Sequence, residues 1–199
     1  MQHVIIGGTL QKSSKPNNPK GPNNPKNSIN AINVMDSSSC SVLSNKKDKI
    51  YAKCLNIAKQ SGLLFRHGCI ATRGGKIIAS GCNTYKAYSS RDMFLDHVCS
   101  CHAEINVLRK IYHRYKNKQR KLNRIMKKTT LYISRYSSAC QSTSSAPCIA
   151  CMQFIHRFKI KRLIFYMNDQ YHTCKAIEYT TTHTSHGDAN LMLHQKRGT

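Results

Sequence analysis

Two short stretches carry residue types and spacings that could do chemistry: "CHAEINVL" (101–108), with His102 and Glu104, and "PCIAC" (147–151), with Cys148 and Cys151. A Cys-x-x-Cys pair can be redox-active, can bind a metal, or can be two core thiols one helical turn apart. Redox pairs usually follow a first strand. This pair comes late, behind a Ser-rich loop, and the chain sets its only proline beyond residue 25 directly ahead of it. His102 upstream adds a third soft or borderline ligand. A catalytic zinc takes three protein ligands and leaves one position for water. His102, Cys148 and Cys151 would supply the three, with the two thiolates balancing the charge of Zn²⁺. Zinc lowers the pKa of bound water from about 15.7 to roughly 7, a shift worth about 12 kcal/mol in the availability of hydroxide. Glu104 stands apart as a carboxylate that can accept and release protons near neutrality. It is one of only two glutamates in the chain.

Each residue also has a plainer reading. His102 could cap a helix, and Glu104 could be a favourable charge at a helix N-terminus. The two cysteines could belong to a closed structural zinc site, with Cys99 or Cys101 as the fourth ligand. Cys40, Cys54, Cys69, Cys82, Cys140 and Cys174 read as ordinary small apolar residues.

The elements that must position these groups follow from periodicity. Ile50, Tyr51, Cys54, Leu55 and Ala58 recur at helical spacing, with Asp48 early and Gly62 past the end. "CIAT" and "KIIASG" flank "RGG", a hairpin with Gly74-Gly75 at the turn. A second helix starts near His102, with Ile105, Leu108, Tyr112 and Tyr115 inward. "TLYIS" (130–134) reads as a strand. A third helix starts after Pro147, with Cys151, Met152, Ile155 and Phe158 inward. Proline suits such a lead-in, since its φ is preset and its missing N–H costs nothing there. "LIFYM" (163–167) reads as a strand covered on both faces. A helical crossover between 130–134 and 163–167 makes those strands parallel. "CKAIEYTTTHT" (174–184) is expected as a fifth strand, turned back through "NDQYH".

The composition frames the rest. The 199 residues suggest one domain with a tail. Residues 1–45 read as a disordered Lys/Asn/Pro/Ser-rich tail, 46–185 as the folded domain, and 186–199 as a flexible end. No apolar run is long enough to span a membrane. The opening "MQHVIIGG" is too short in apolar residues for an export signal, so the expectation is an intracellular protein, cytoplasmic or nuclear and not secreted, with mostly reduced thiols. The net charge of +24 favours a polyanionic partner, or else reflects a Lys-rich solvated surface. Residues 109–128 hold ten Lys/Arg and no acid, a basic insert that could contact nucleic acid or phosphate.

The order His-x-Glu…Pro-Cys-x-x-Cys matches the signature of zinc deaminases that act on bases. With it the chain resembles the cytidine deaminase superfamily over roughly residues 48–184. The resemblance implies an α/β fold: three layers, α/β/α, with a five-stranded mixed sheet and the zinc between the N-termini of two helices. His102, where the small free-cytidine enzymes carry Cys, points to the deoxycytidylate, transfer-RNA adenosine and polynucleotide-editing branches. "HAEINVL" resembles the H-A-E-x-N-x-[IL] of the deoxycytidylate type, with Asn106 at its Asn. The resemblance further implies that Asn83, in "SGCN", binds the substrate sugar and that the Ala103 N–H meets the base carbonyl, although Asn83 also reads as a turn residue. It implies Zn²⁺ as cofactor, a nucleotide substrate of the dCMP or CMP type, and a homodimer or larger assembly. Two other functions stand beside this one: editing a base within RNA or single-stranded DNA, and an inactive zinc-stabilised module that binds nucleic acid. The chain has no tryptophan, unlike the Ser-Trp-Ser common in polynucleotide cytosine deaminases. An antiparallel fifth strand would also favour the free-nucleotide type.

Overall fold

The computed structural model describes residues 44–85, 93–94, 100–138 and 143–189. The expectations for the N-terminal tail up to residue 43 and for residues 190–199 therefore lie outside the described residues. Helix α1 (Asn45–Ala58) is followed by the hairpin β1 (Arg66–Arg73) and β2 (Lys76–Cys82). A two-residue strand β3 (Thr84–Tyr85) pairs antiparallel with β4 (Ser100–Cys101), which leads into α2 (Ala103–Tyr115). Then come α3 (Gln119–Met126), β5 (Thr129–Tyr136), α4 (Ile149–Arg157), β6 (Arg162–Met167) and β7 (Gln170–Lys175).

The main sheet has the order β2-β1-β5-β6-β7. Only β5 and β6 run parallel, joined by the α4 crossover; the other neighbours are antiparallel. Side chains alternate between two apolar clusters, as the period of two requires. Ile70, Tyr132 and Ile164 meet Ile50, Tyr51 and Cys54 of α1 on one face. Cys69, Ala71, Leu131, Ile133, Leu163 and Phe165 meet α2, α3 and α4 on the other. The architecture is the expected three-layer α/β/α with a five-stranded mixed sheet.

The β1–β2 turn uses Gly74 at φ 57° and Gly75 at φ 75°, the left-handed pair that a two-residue hairpin needs. Gly68 is required for a different reason. A Cβ there would lie 2.5 Å from the Cys54 carbonyl oxygen and 2.7 Å from the Ala58 nitrogen, both backbone atoms of α1. Gly68→Ala should therefore push α1 off the sheet and cost about 2–3 kcal/mol, read as a lower denaturant midpoint at unchanged slope. An unchanged midpoint would show that α1 does not rest on β1.

Two differences from the sequence reading have physical causes. The fifth strand is Gln170–Lys175, not 174–184. Asn168 (φ 51°) and Asp169 (φ 59°) form a two-residue turn, so pairing with β6 restarts at once, with Met167 opposite Gln170. The threonines of 180–184 have β propensity, but among the described residues no strand pairs with them. The basic insert is not a plain connection, because its second half folds as α3 and buries Leu122, Ile125 and Met126. The end of α4 has an unusual closure. Phe158 caps it, the N–H of Ile160 donates to Ile155 O (3.1 Å), and the N–H of Lys159 donates to His156 O (2.9 Å). This double closure normally takes glycine in the left-handed position. Here Lys159 occupies it at φ 53°, at a cost of about 1 kcal/mol.

Candidate metal centre

His102 and Cys148 are the N-cap residues of α2 and α4, and both have extended backbones (φ −65°, ψ 156° and φ −78°, ψ 168°). Neither side chain makes a capping hydrogen bond. Instead they turn toward each other. His102 Nδ1 lies 3.2 Å from Cys151 Sγ and 3.4 Å from Cys148 Sγ. Ligand atoms of all three residues lie within 4.8 Å of one another, the one such grouping that could hold a metal among the described residues. Tetrahedral Zn–N and Zn–S bonds place N and S about 3.6 Å apart, close to these separations. One imidazole and two sulfurs is a zinc donor set, and the three fit that ion. Cys101 is not in the group; its Sγ lies 3.6 Å from the His102 carbonyl oxygen. Cys99 lies outside the described residues.

The approach to Cys148 is held by Ser145. Strands β5 and β6 pair only over Thr130–Tyr132 and Arg162–Ile164, and then part. The Ser145 N–H donates to Tyr166 O (2.7 Å), its hydroxyl donates to Ile133 O (2.8 Å), and it accepts from the Tyr166 N–H (3.0 Å). The returning loop is thereby pinned in the crevice at the carboxyl ends of parallel strands, where open α/β sheets bind ligands. Pro147 stands one residue before the cap rather than in the first turn, so it shapes the entry to α4 and not α4 itself. The first N–H of α4, on Ile149, donates to His183 O (2.8 Å), which ties the segment after β7 to the same helix start.

Electrostatics follow from burial and proximity. Cys148 is pulled down to about 4 by hydrogen bonding from Cys151, with His102 adding to the effect against burial. Cys151 is pushed up by the same bond and by burial. Burial opposes a charged His102, but the Cys148 hydrogen bond and the Glu104 charge outweigh it and raise the imidazole to about 9. Glu104, 5% exposed, is raised by burial and then by the Cys148 charge, while His102 and a Cys151 hydrogen bond pull the other way.

The other sequence-derived positions are placed differently. Ala103 is fully buried in the first turn of α2, where N–H groups have no intrahelical partner. Asn106 Nδ2 donates to Cys82 O (2.8 Å) at the end of β2. The Asn83 amide is engaged at both ends: Oδ1 accepts from the His67 N–H (2.8 Å) and Nδ2 donates to Phe65 O (2.7 Å). Asn83 thus holds the loop between α1 and β1. The sequence reading did not single out Ser145, Asp188 or His67. Asp188 lines a small cleft with His102 and Cys151. His67 feels the charges of Arg135, His102 and His183. None of the three sits in a motif, and only the fold brings them near.

His67 supplies a pH test. Burial first, and then those neighbouring charges, lower it from 6.5 to about 4. Its neutral form is favoured on folding, so its contribution is complete above pH 6.5 and is lost as pH falls toward 4. The loss amounts to roughly 3 kcal/mol. His67→Gln should flatten that part of a stability–pH profile; a profile unchanged by the substitution would contradict the assignment.

Comparisons with known proteins complete the description. The model of the family described as "Cytidine and deoxycytidylate deaminase zinc-binding region" matches residues 44–167. No curated protein matches the chain. Among solved structures, a cytidine deaminase from Burkholderia pseudomallei is similar at 13% identity and a TM-score of 0.46, covering 67% of this chain and 94% of that one. A dCMP deaminase from the cyanophage S-TIM5 is similar at 18% identity and a TM-score of 0.42, over 61% and 82% of the two chains. A structure from a study of tRNA:A34 deaminases, which carry out A-to-I editing at the wobble position, is similar at 19% identity and a TM-score of 0.39, over 59% and 74%.

Proposed function

Since the chain belongs to the cytidine and deoxycytidylate deaminase zinc-binding family, we propose that it is a zinc-dependent hydrolytic deaminase of a cytosine nucleotide, of the dCMP or CMP type. The observation that carries the reading is the meeting of His102, Cys148 and Cys151 beside a buried Glu104. His102 Nδ1 and the two sulfurs would hold the metal. Zinc bound there supplies an acidified water, with a pKa near 7 in place of about 15.7. The remaining work falls to the chain. Glu104, its carboxyl raised by burial, would take one proton from the water and deliver it to the ring nitrogen, then carry the second, from the hydroxyl added at the ring carbon, to the departing amine. Water and cytosine become uracil and ammonia, with no redox change. We assign the Ala103 N–H, in the first turn of α2, to the base carbonyl as its donor. Asn106 holds the end of β2 and the Asn83 amide holds the loop before β1 and the start of β1, so we assign them to shaping the sugar side of the pocket. Asn83 can contact the sugar only if its amide exchanges one of those bonds.

The antiparallel β7 supports a free-nucleotide substrate. The second reading, editing within RNA or single-stranded DNA, rests on the ten Lys/Arg of residues 109–128. One assay divides them. Purified protein is offered dCMP, CMP, deoxycytidine, cytidine, single-stranded DNA and transfer RNA. Uridine-type product from free nucleotides alone supports the first reading. Product from a polymer alone replaces it with the second, and no product from any substrate with zinc bound leaves a zinc-stabilised binding module.

A further inference from the structure

A second cleft, of about 410 Å³, opens between α3 and the end of α4. It shares no lining residue with the small cleft beside His102. Arg157 lies six positions beyond Cys151, about 9 Å along α4. We propose that this cleft is a second ligand site, which holds a phosphate group between Lys127, Arg157 and Lys159. The inference does not depend on the deaminase reading.

Three observations carry it. The first is charge. Lys127, Arg157 and Lys159 converge on one cleft, all three are exposed, and among the described residues no carboxylate pairs with any of them. The carbonyl ends of α3 and α4 account for part of this, since cations favour a helix C-terminus. Two such ends offer roughly two half-charges, against three full positive charges, so a net charge of about +2 remains for a ligand.

The second observation is neutral donors and rings. Gln119 Nε2 donates to Asn123 Oδ1 (3.1 Å), which fixes the pair and leaves the Asn123 amide nitrogen as a donor at the cleft. Tyr112 and Phe158 form the apolar part of the lining and stand against Phe94, at 5.4 and 5.5 Å between ring centroids. Cations, an amide donor and aromatic rings together suit a phosphate attached to a ring-bearing group.

The third is Lys159 itself. It takes the left-handed position that glycine fills at lower cost, and so brings a cation to the cleft against its backbone preference.

The phosphate can come from a free nucleotide or from a nucleic-acid strand, which the exposed Arg120, Lys121, Arg124 and Lys128 would follow onward. Binding of the full zinc-loaded chain to a fluorescein-labelled single-stranded oligonucleotide would be followed by anisotropy. Binding of inorganic phosphate would be followed by amide shifts of Phe158 and Lys159. The variants are Lys159→Gly and Arg157→Gln, with Lys76→Gln in the β1–β2 hairpin as a control of equal charge loss. Lys159→Gly should weaken the ligand about 3- to 10-fold and reduce the salt slope of strand binding by about 1. It should also raise Tm by about 2 °C, because the backbone is relieved. Phosphate-induced shifts that both cleft variants abolish identify a free-phosphate site. Strand binding weakened by both, without such shifts, identifies a strand site. Equal losses in Lys76→Gln, or no change in either cleft variant, would overturn the proposal.

Discussion

Replacing Glu104 with glutamine should lower turnover by about 10²- to 10⁴-fold while zinc stays at one ion per chain. The reason lies in what the substitution keeps. Glutamine fills the same volume under α2, so the packing around His102 and Cys151 survives. It removes only the ability to take and return a proton, which is worth that factor in general acid–base catalysis. The glutamate is 5% exposed, so solvent has little access with which to replace it. Measurement of kcat on the active substrate alongside metal content decides the point. Full activity with glutamine at 104 would remove Glu104 from the chemistry and return it to a charge at a helix start.

Exchanging either sulfur has a larger structural effect. Cys148→Ser and Cys151→Ser should each drop zinc from one per chain to below about a tenth, because each removes a thiolate from a three-ligand set. A ligand that binds only the folded chain stabilises it by about 4 kcal/mol at a thousand times its dissociation constant. Losing that from a chain of 199 residues lowers Tm by on the order of 10 °C. A strong chelator added to the unsubstituted protein should reproduce the shift, and zinc should reverse it. Stoichiometric zinc in either serine variant would show that the metal is held elsewhere.

The centre was largely legible in the chain because its parts are local. His102-x-Glu104 and Pro147-Cys148-x-x-Cys151 each open a helix whose apolar period can be counted, and a helical crossover fixes β5 and β6 as parallel. Features that depend on distant pairing were not legible. The splay of β5 from β6 that Ser145 fills comes from tertiary packing, and a serine among serines carries no mark of it. The break between α2 and α3 falls in a run of basic residues where both halves look helical, and only burial of Leu122, Ile125 and Met126 separates them. Asn168-Asp169 did carry a turn signal. Both residue types tolerate the left-handed region, and weighing that would have started β7 at Gln170.

Strands β1 and β5 pair at eight positions although α2 and α3 lie between them. Joining those strands means closing a long ring of chain, a cost that rises by only about 0.6 kcal/mol for each doubling of its length. Shortening the connection by the length of α3 would therefore recover only about a tenth of a kcal/mol in closure entropy. It would forfeit far more in the apolar face that α3 buries. That segment is kept in place by what it covers, so its outer, charged side can be given over to a ligand without disturbing the packing beneath.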